Sequence, residues 1–371
     1  MIKSKVLFIL HIPPPVNGAA LMGQYLKESP LINTNFETDY INLTAAFNLD
    51  QIGKRSFAKF WIVLQILKNV LAAIRTKKYD LCYMTLTAKG AGFYKDFLVV
   101  LLLKLFRLKI IYHFHNKGVA KSGKKWYNHL LYQITFHKAE CILLAPTLFN
   151  DVRPYIARSK VYFCANGIPH IAVTDKPLLV NAATMSVCKF LFLSNMMKEK
   201  GVLDLLEACK LIKNKKLKFE CHFIGAWSDI TEQAFNHAVS TLELKNEVKM
   251  HGKKYNEDKI EFFNLADVFV FPTYYHNECF PLVLLEAMQF GLPVIATPEG
   301  AIAEIVLDKK TGLLIKQKDV NALAAAMIAV LNNPIERKKM GDEGRKRYEE
   351  LFTLGSFEEK MYSILNTSIQ N

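Results

Sequence analysis

Residues 268–291 read VFVFPTYYHNECFPLVLLEAMQFG, and their reading decides the fold. Four apolar residues, Val268 to Phe271, are continuous rather than alternating, the pattern of a strand covered on both faces. A polar loop follows. A helix is then expected to begin near Pro281, because proline at a helix start lacks only an N–H that would have no partner there. The N–H groups of Leu282 and Val283 would point out of that start and, with the helix dipole, favour an anion such as a diphosphate. Glu278 stands in the loop and Glu286 in the helix, eight residues on. At 1.5 Å of rise per residue they are at most roughly 12 Å apart. That separation suits two contacts at opposite ends of one ligand. A glycosidase acid/base pair sits closer, about 5–9.5 Å apart. A helix-capping Glu followed by a helix-face Glu is the purely structural account of the same pattern.

Working outward, strand-like runs separated by helical segments recur along the chain. They fall at 6–10, 81–84, 109–113, 141–145 and 160–164, then at 190–194, 218–224, 247–250, 268–271, 293–296 and 312–315. Strands alternating with helices predict βαβ units and parallel sheets. A length of 371 residues exceeds what one core usually supports. The expectation is therefore α/β, with two doubly wound domains at 1–170 and 171–371. The turn signal Asn166-Gly167-Ile168-Pro169 and the weakly patterned stretch through Pro177 to about Thr184 place the boundary near 168–187. A charged helical segment, 335–368, closes the chain.

Seven cysteines without a CxxC pair predict reduced, mostly buried thiols, and no Cys/His cluster has zinc spacing. The apolar run 6–10 is too short for a signal peptide, and 97–103 is too short to span a bilayer. A cytoplasmic protein is expected. The charge is uneven. Residues 1–170 carry 23 Lys and Arg against 8 Asp and Glu, whereas residues 171–371 carry 25 against 26. The basic half suits an anionic partner: nucleic acid, a membrane surface or a phosphorylated lipid. Phe60, Trp61 and the 97–106 stretch add apolar surface that suits an anionic membrane, or that simply covers the sheet.

The motif Glu278-Cys-Phe-Pro-Leu-Val-Leu-Leu-Glu286-Ala-Met-Gln-Phe-Gly291-Leu-Pro293-Val-Ile-Ala296 resembles the signature of the family 4 retaining glycosyltransferases, whose two-domain fold is called GT-B. Ala266-Asp267-Val-Phe-Val-Phe-Pro272 before it, and Gly300…Glu304 and Thr311-Gly312 after it, resemble the same family. The resemblance implies two Rossmann-like domains facing a cleft, the first binding the acceptor and the second a nucleotide-sugar donor, with the last helix (about 352–371) crossing back to the first domain. It implies transfer with retention and without a metal or other cofactor, in bacterial polysaccharide or lipopolysaccharide synthesis. The partners are then a UDP- or GDP-sugar and a sugar or lipid-linked acceptor rather than nucleic acid, with the enzyme on or near the inner face of the membrane. A non-catalytic nucleotide-sugar-binding subunit, an epimerase and a disaccharide synthase are the alternatives.

Residue by residue, the resemblance gives Glu278 to the donor sugar and Glu286 to the ribose hydroxyls, with Cys279, Phe280, Pro281 and Leu282 lining the phosphate path. Cys279 replaces the usual glycine. Lys200, in Ser194-Asn195-Met-Met-Lys198-Glu199-Lys200-Gly201, matches the lysine that neutralises donor phosphates, the main demand on a departing diphosphate. Asn195 stands where an arginine is usual, and Lys198 is a candidate substitute. Gly18, in the loop His11-Ile-Pro-Pro-Pro-Val-Asn17-Gly18, resembles the glycine loop that approaches the donor. His115, with His113 second, matches the strand-end histidine near the donor sugar. Gly225 and the segment His251-Gly252-Lys253-Lys254-Tyr255 occupy the positions that hold the nucleobase.

Overall fold

The computed structural model describes residues 3–44, 57–171, 187–254 and 257–371. It forms two compact units. Unit 1 comprises Met1–Gly167 together with Leu354–Asn371, and unit 2 comprises Ile168–Thr353. The expected linker stretch from Pro177 to Thr184, and Tyr255, lie outside the described residues.

Among its described residues unit 1 holds six parallel strands: β1 (Lys5–Leu10), β2 (Glu37–Asn42), β3 (Leu81–Thr85), β4 (Ile110–Phe114), β5 (Ala139–Leu143) and β6 (Val161–Phe163). Their order is β2-β1-β3-β4-β5-β6. The central strands are continuous buried runs, as helices on both faces require. β2 was not expected from the sequence. Its Glu-Thr-Asp-Tyr-Ile-Asn is an edge strand with a single buried residue, Ile41, so it lacks the apolar run that marks its neighbours. The helix Gly18–Glu28 starts where Asn17 accepts from the Ala20 N–H at 3.0 Å, a side-chain cap. The helix Leu354–Gln370 buries Phe357, Met361, Ile364 and Leu365 and ends with Ser368 Oγ donating to Glu140 Oε2 at 2.6 Å, both within unit 1.

Unit 2 repeats the plan with β7 (Cys188–Leu193), β8 (Phe219–Ile224), β9 (Val248–Met250), β10 (Val268–Phe271), β11 (Val294–Ala296) and β12 (Gly312–Leu314). The order is β12-β11-β10-β7-β8-β9, again all parallel. Phe190, Phe192, Phe223, Phe263 and Phe269 are fully buried around it. Each such side chain stabilises the fold by roughly 1.5–3 kcal/mol. The closing helical segment divides in two. Pro334–Leu351, capped by Asn333, stays in unit 2, where Tyr348 Oη accepts from Gln289 at 2.5 Å and donates to the Ile168 carbonyl at 3.2 Å. The break at Phe352-Thr353 separates it from the helix that belongs to unit 1.

Candidate active site

In unit 2 the strand order reverses between β7 and β10. Ligands of open α/β sheets bind outside the carboxyl ends of strands at such a reversal. Lys200 follows β7 and Glu278 follows β10, so the two come from opposite sides of this point.

The loops that carry them are stitched together. The Tyr274 N–H donates to the Glu199 carbonyl at 2.8 Å, and Thr273 Oγ1 donates to the same oxygen at 3.3 Å. Lys198–Lys200 form a short 3-10 turn ending at Gly201. Lys200 Nζ donates to Glu278 Oε2. Its ammonium also lies 4.9 Å from the ring centroid of Tyr275 and 5.2 Å from that of Phe271, within cation–π range. The two charged side chains are only 13% and 12% exposed, so little water screens the pair.

The helix that follows Glu278 runs Leu282–Gln289. Pro281, expected in its first turn, instead precedes it with extended dihedrals (φ −71°, ψ 115°), and no side chain caps the start. Glu286, within the helix, accepts from Lys259 Nζ at 2.5 Å. Lys259 comes from the helix Glu257–Leu265 and was not singled out in the sequence, where it is one charge among several in Glu-Asp-Lys-Ile-Glu. Cys279 and Phe280 are buried. The Cys279 carbonyl accepts from Ala301 N–H at 2.8 Å, and Phe280 packs edge-on against Phe352 with centroids 5.9 Å apart. Their side chains therefore serve the core, and only their backbone is available to a ligand. Gly300 closes over this backbone with φ +60°, and a Cβ there would sit 2.4 Å from the Glu278 carbonyl oxygen.

Asn195 is exposed, and its carbonyl accepts from Met197 N–H at 2.8 Å. Two cations lie near this loop. Lys198 is exposed, and Lys318 places its ammonium 4.5 Å from the ring centroid of Tyr274. Lys318 carried no sequence signal. Gly225 follows β8 and donates to the Gly252 carbonyl at 2.9 Å; a Cβ there would meet the Ser194 carbonyl oxygen at 1.7 Å. His251 is occupied by its neighbours: its Nε2 lies 2.9 Å from His222 Nδ1, and its ring lies 4.5 Å, centroid to centroid, from Phe262.

Gly18 and His115 belong to unit 1. Gly18 is exposed as the first residue of its helix. His115 follows β4 and is half-buried, with its Nδ1 buried and without a hydrogen-bond partner among the described residues. Its ring lies 4.1 Å from that of His113. His113 is wholly buried and hydrogen-bonds Tyr83 Oη through Nδ1 at 2.7 Å, which makes it a core residue. Burial, with a smaller contribution from His11, pushes the pKa of His115 down to about 3. His11, at the end of β1, is lowered to about 4 by burial and then by Lys95, with Asp96 working against the shift. Asp96 is fully buried; its Oδ2 accepts from Thr87 N–H at 2.9 Å, while Oδ1 lies 3.0 Å from Lys95 Nζ without hydrogen-bond geometry. These histidines are neutral near pH 7, so they offer a hydrogen bond rather than a charge.

Residues 185–347 match the family model described as Glycosyl transferases group 1. The chain is 30% identical over 179 residues to the capsular polysaccharide biosynthesis glycosyltransferase CapM of Staphylococcus aureus, covering 48% of this chain and 46% of that protein. It is 26% identical over 237 residues to the putative colanic acid biosynthesis glycosyltransferase WcaL of Escherichia coli K12, covering 61% of this chain and 56% of that protein. The matches thus span about half the length of these relatives. Among solved structures, Anabaena HepE in complex with UDP superposes with a TM-score of 0.73 at 14% identity, over 98% of this chain and 100% of that one. Residues 185–347 thus resemble the glycosyl transferases group 1, and the whole chain has the GT-B fold.

Proposed function

We propose that the protein transfers a sugar, with retention of anomeric configuration, from a nucleoside-diphosphate sugar to an acceptor hydroxyl in bacterial surface-polysaccharide synthesis. The observation that carries this reading is the buried Lys200–Glu278 pair beside an uncapped helix start, at the reversal point of the unit 2 sheet. The family match over the same residues and the polysaccharide-synthesising relatives support it.

In this reading the donor diphosphate lies at the N–H groups of Leu282 and Val283. Lys200 leaves Glu278 for the phosphates and stabilises the charge that grows as the sugar–phosphate bond breaks. Glu278, released, takes the sugar hydroxyls. Glu286 accepts from the ribose hydroxyls, since a carboxylate makes the stronger kind of hydrogen bond. The acceptor hydroxyl attacks from the face of the leaving phosphate and passes its proton to that phosphate, so Glu278 orients the sugar and forms no bond to it. The positive charge comes from lysines, and the reaction is read as independent of metal. The acceptor is read as a lipid-linked or free saccharide on the cytoplasmic side.

The test is a donor screen. UDP- and GDP-sugars are tried for a thermal shift, because a bound donor raises stability by mass action. Release of nucleoside diphosphate is then measured with and without EDTA. Slow release that survives EDTA and disappears in Glu278→Gln supports the reading. Binding of a nucleotide sugar with no release under any condition would instead favour a non-catalytic subunit, the reading that the exposed Asn195 in place of an arginine keeps open.

A further inference from the structure

In unit 1, the helices Phe57–Thr76, Gly90–Leu105 and Trp126–Phe136 connect β2 to β3, β3 to β4 and β4 to β5. All three crossovers run in the same direction along the sheet. Right-handed crossovers therefore set the three helices side by side on one face. Their inner sides are ordinary core: Ile66 and Val70, then Phe93, Phe97, Val100 and Leu103, then Tyr132 and Phe136 are buried. Phe97, which the sequence left open between an outer surface and a cover for the sheet, thus faces inward.

The outer sides are apolar as well. Trp61 is 62% exposed, Leu105 76% and Trp126 79%; Phe60, Leu98 and Leu101 are also exposed. A groove between the first two helices is lined by Leu67, Leu71, Leu98, Leu101, Leu102 and Leu105, with Lys68 beside them. A solvent-facing helix normally carries polar residues on its outer side, so an apolar outer face over three adjacent helices marks an interaction surface.

Charge selects the occupant. Residues 57–138 hold 15 Lys and Arg and only 2 acidic residues, Asp80 and Asp96, a net +13 out of +14 for the chain. Asp96 is buried, so it does not offset the surface charge. Exposed Lys124 and Lys125 immediately precede Trp126, and exposed Arg107 follows Leu105 and Phe106. A second copy of this face would bring like charges together. The groove between the first two helices is lined by aliphatic Leu, which gives nucleic-acid bases nothing to stack on, while the exposed Trp61 and Trp126 are the residue type that sits at a bilayer interface. An anionic bilayer answers both features, because its headgroups meet the lysines while Trp and Leu enter the interface.

We propose that this three-helix face docks the protein on an anionic membrane surface, lying in the interface plane. None of its helices is long and apolar enough to cross a bilayer. The surface lies wholly within unit 1 and stands whether or not unit 2 binds a nucleotide sugar.

The test is co-sedimentation of the full chain with phosphatidylcholine vesicles that contain or lack phosphatidylglycerol, at low and high salt. Binding is expected with phosphatidylglycerol only, and weaker at high salt. Lys124→Ala with Lys125→Ala should weaken it roughly fivefold per charge removed. Trp126→Ser and Leu105→Ser should weaken it further at every salt concentration. These side chains are exposed, so unchanged circular dichroism and an unchanged nucleotide-induced thermal shift show that the variants fold and that unit 2 is untouched. No binding to phosphatidylglycerol vesicles at low salt overturns the proposal. So does binding that ignores all these substitutions, or light scattering that shows a dimer dissolved by Leu105→Ser in a protein that ignores vesicles.

Discussion

Lys200 and Glu278, 78 residues apart in sequence, form a mostly buried ion pair across the point where the unit 2 sheet reverses. The pair holds each charge in place before any ligand arrives. In the proposed reading it also makes Glu278 a competitor for the ammonium that a donor diphosphate would take. Glu278→Gln should therefore separate binding from turnover. Nucleoside diphosphate affinity, measured by calorimetry, is expected to rise by about threefold to tenfold, the gain from removing one competing charge. Sugar transfer should fall by at least about a hundredfold. Lys200→Met should weaken nucleotide binding and slow transfer together. Equal loss of nucleotide affinity in both variants would contradict the competition between carboxylate and phosphate.

The second ion pair gives a milder prediction. Lys259 Nζ sits 2.5 Å from Glu286 Oε1 and fixes the orientation of that carboxylate. Lys259 is a positioning residue in this account. Lys259→Met should raise KM for the donor by about threefold to tenfold with kcat nearly unchanged, because the loss is of uniform binding. Lys259→Arg should restore much of it. A fall in kcat at constant KM would place Lys259 in the chemistry instead.

The sequence was most legible where one segment carries both pattern and position. The run Val268–Phe271, the break at Pro272 and the helix from Leu282 follow from local rules alone. The edge strand β2 was not legible, because a strand with one buried residue has no apolar run to find. Lys259 and Lys318 were hidden for a different reason. Their meaning comes from Glu286 and Tyr274, which reach them only through the fold. The outer face of the helix Gly90–Leu105 was half-legible: the apolar run was plain, but which residues turn inward depends on the sheet beneath.

The unit 1 histidines predict a dependence of stability on pH. His11 and His115 bind a proton in the folded protein only when pH falls to about 4 and about 3. In the unfolded chain they do so at about 6.5. The unfolded state therefore takes up protons first as pH drops, and stability falls between about pH 6.5 and pH 4. The loss attributable to His115 is expected to reach roughly 2–4 kcal/mol by pH 4. Urea unfolding of the wild type and of His115→Asn at several pH values reads it directly. The difference between the two should shift toward the variant as pH falls, and a difference independent of pH would contradict a buried neutral ring.

Gly300 tests how tightly the Glu278 backbone is held. Gly300 and Gly252 share the left-handed region, at φ +60° and +67°, so alanine at either meets the same local strain of about 1 kcal/mol. Their surroundings differ. Among the described residues a Cβ at Gly252 meets nothing within 4 Å, whereas one at Gly300 would lie 2.4 Å from the Glu278 carbonyl oxygen and 2.8 Å from that of Cys279. Both carbonyls belong to backbone, and the Cys279 carbonyl is already tied to the Ala301 N–H at 2.8 Å, so the added methyl group meets no flexible side-chain end that could swing away. Gly300→Ala should cost a further 1–3 kcal/mol or so in overpacking, seen as a lower unfolding temperature than for Gly252→Ala. It should also displace Glu278 from Lys200 and slow transfer at temperatures where the variant is still folded. Equal unfolding temperatures for the two variants would show that the loop before the helix yields to the added methyl group, and that the Glu278 carboxylate is not held by the packing of Gly300 against its backbone.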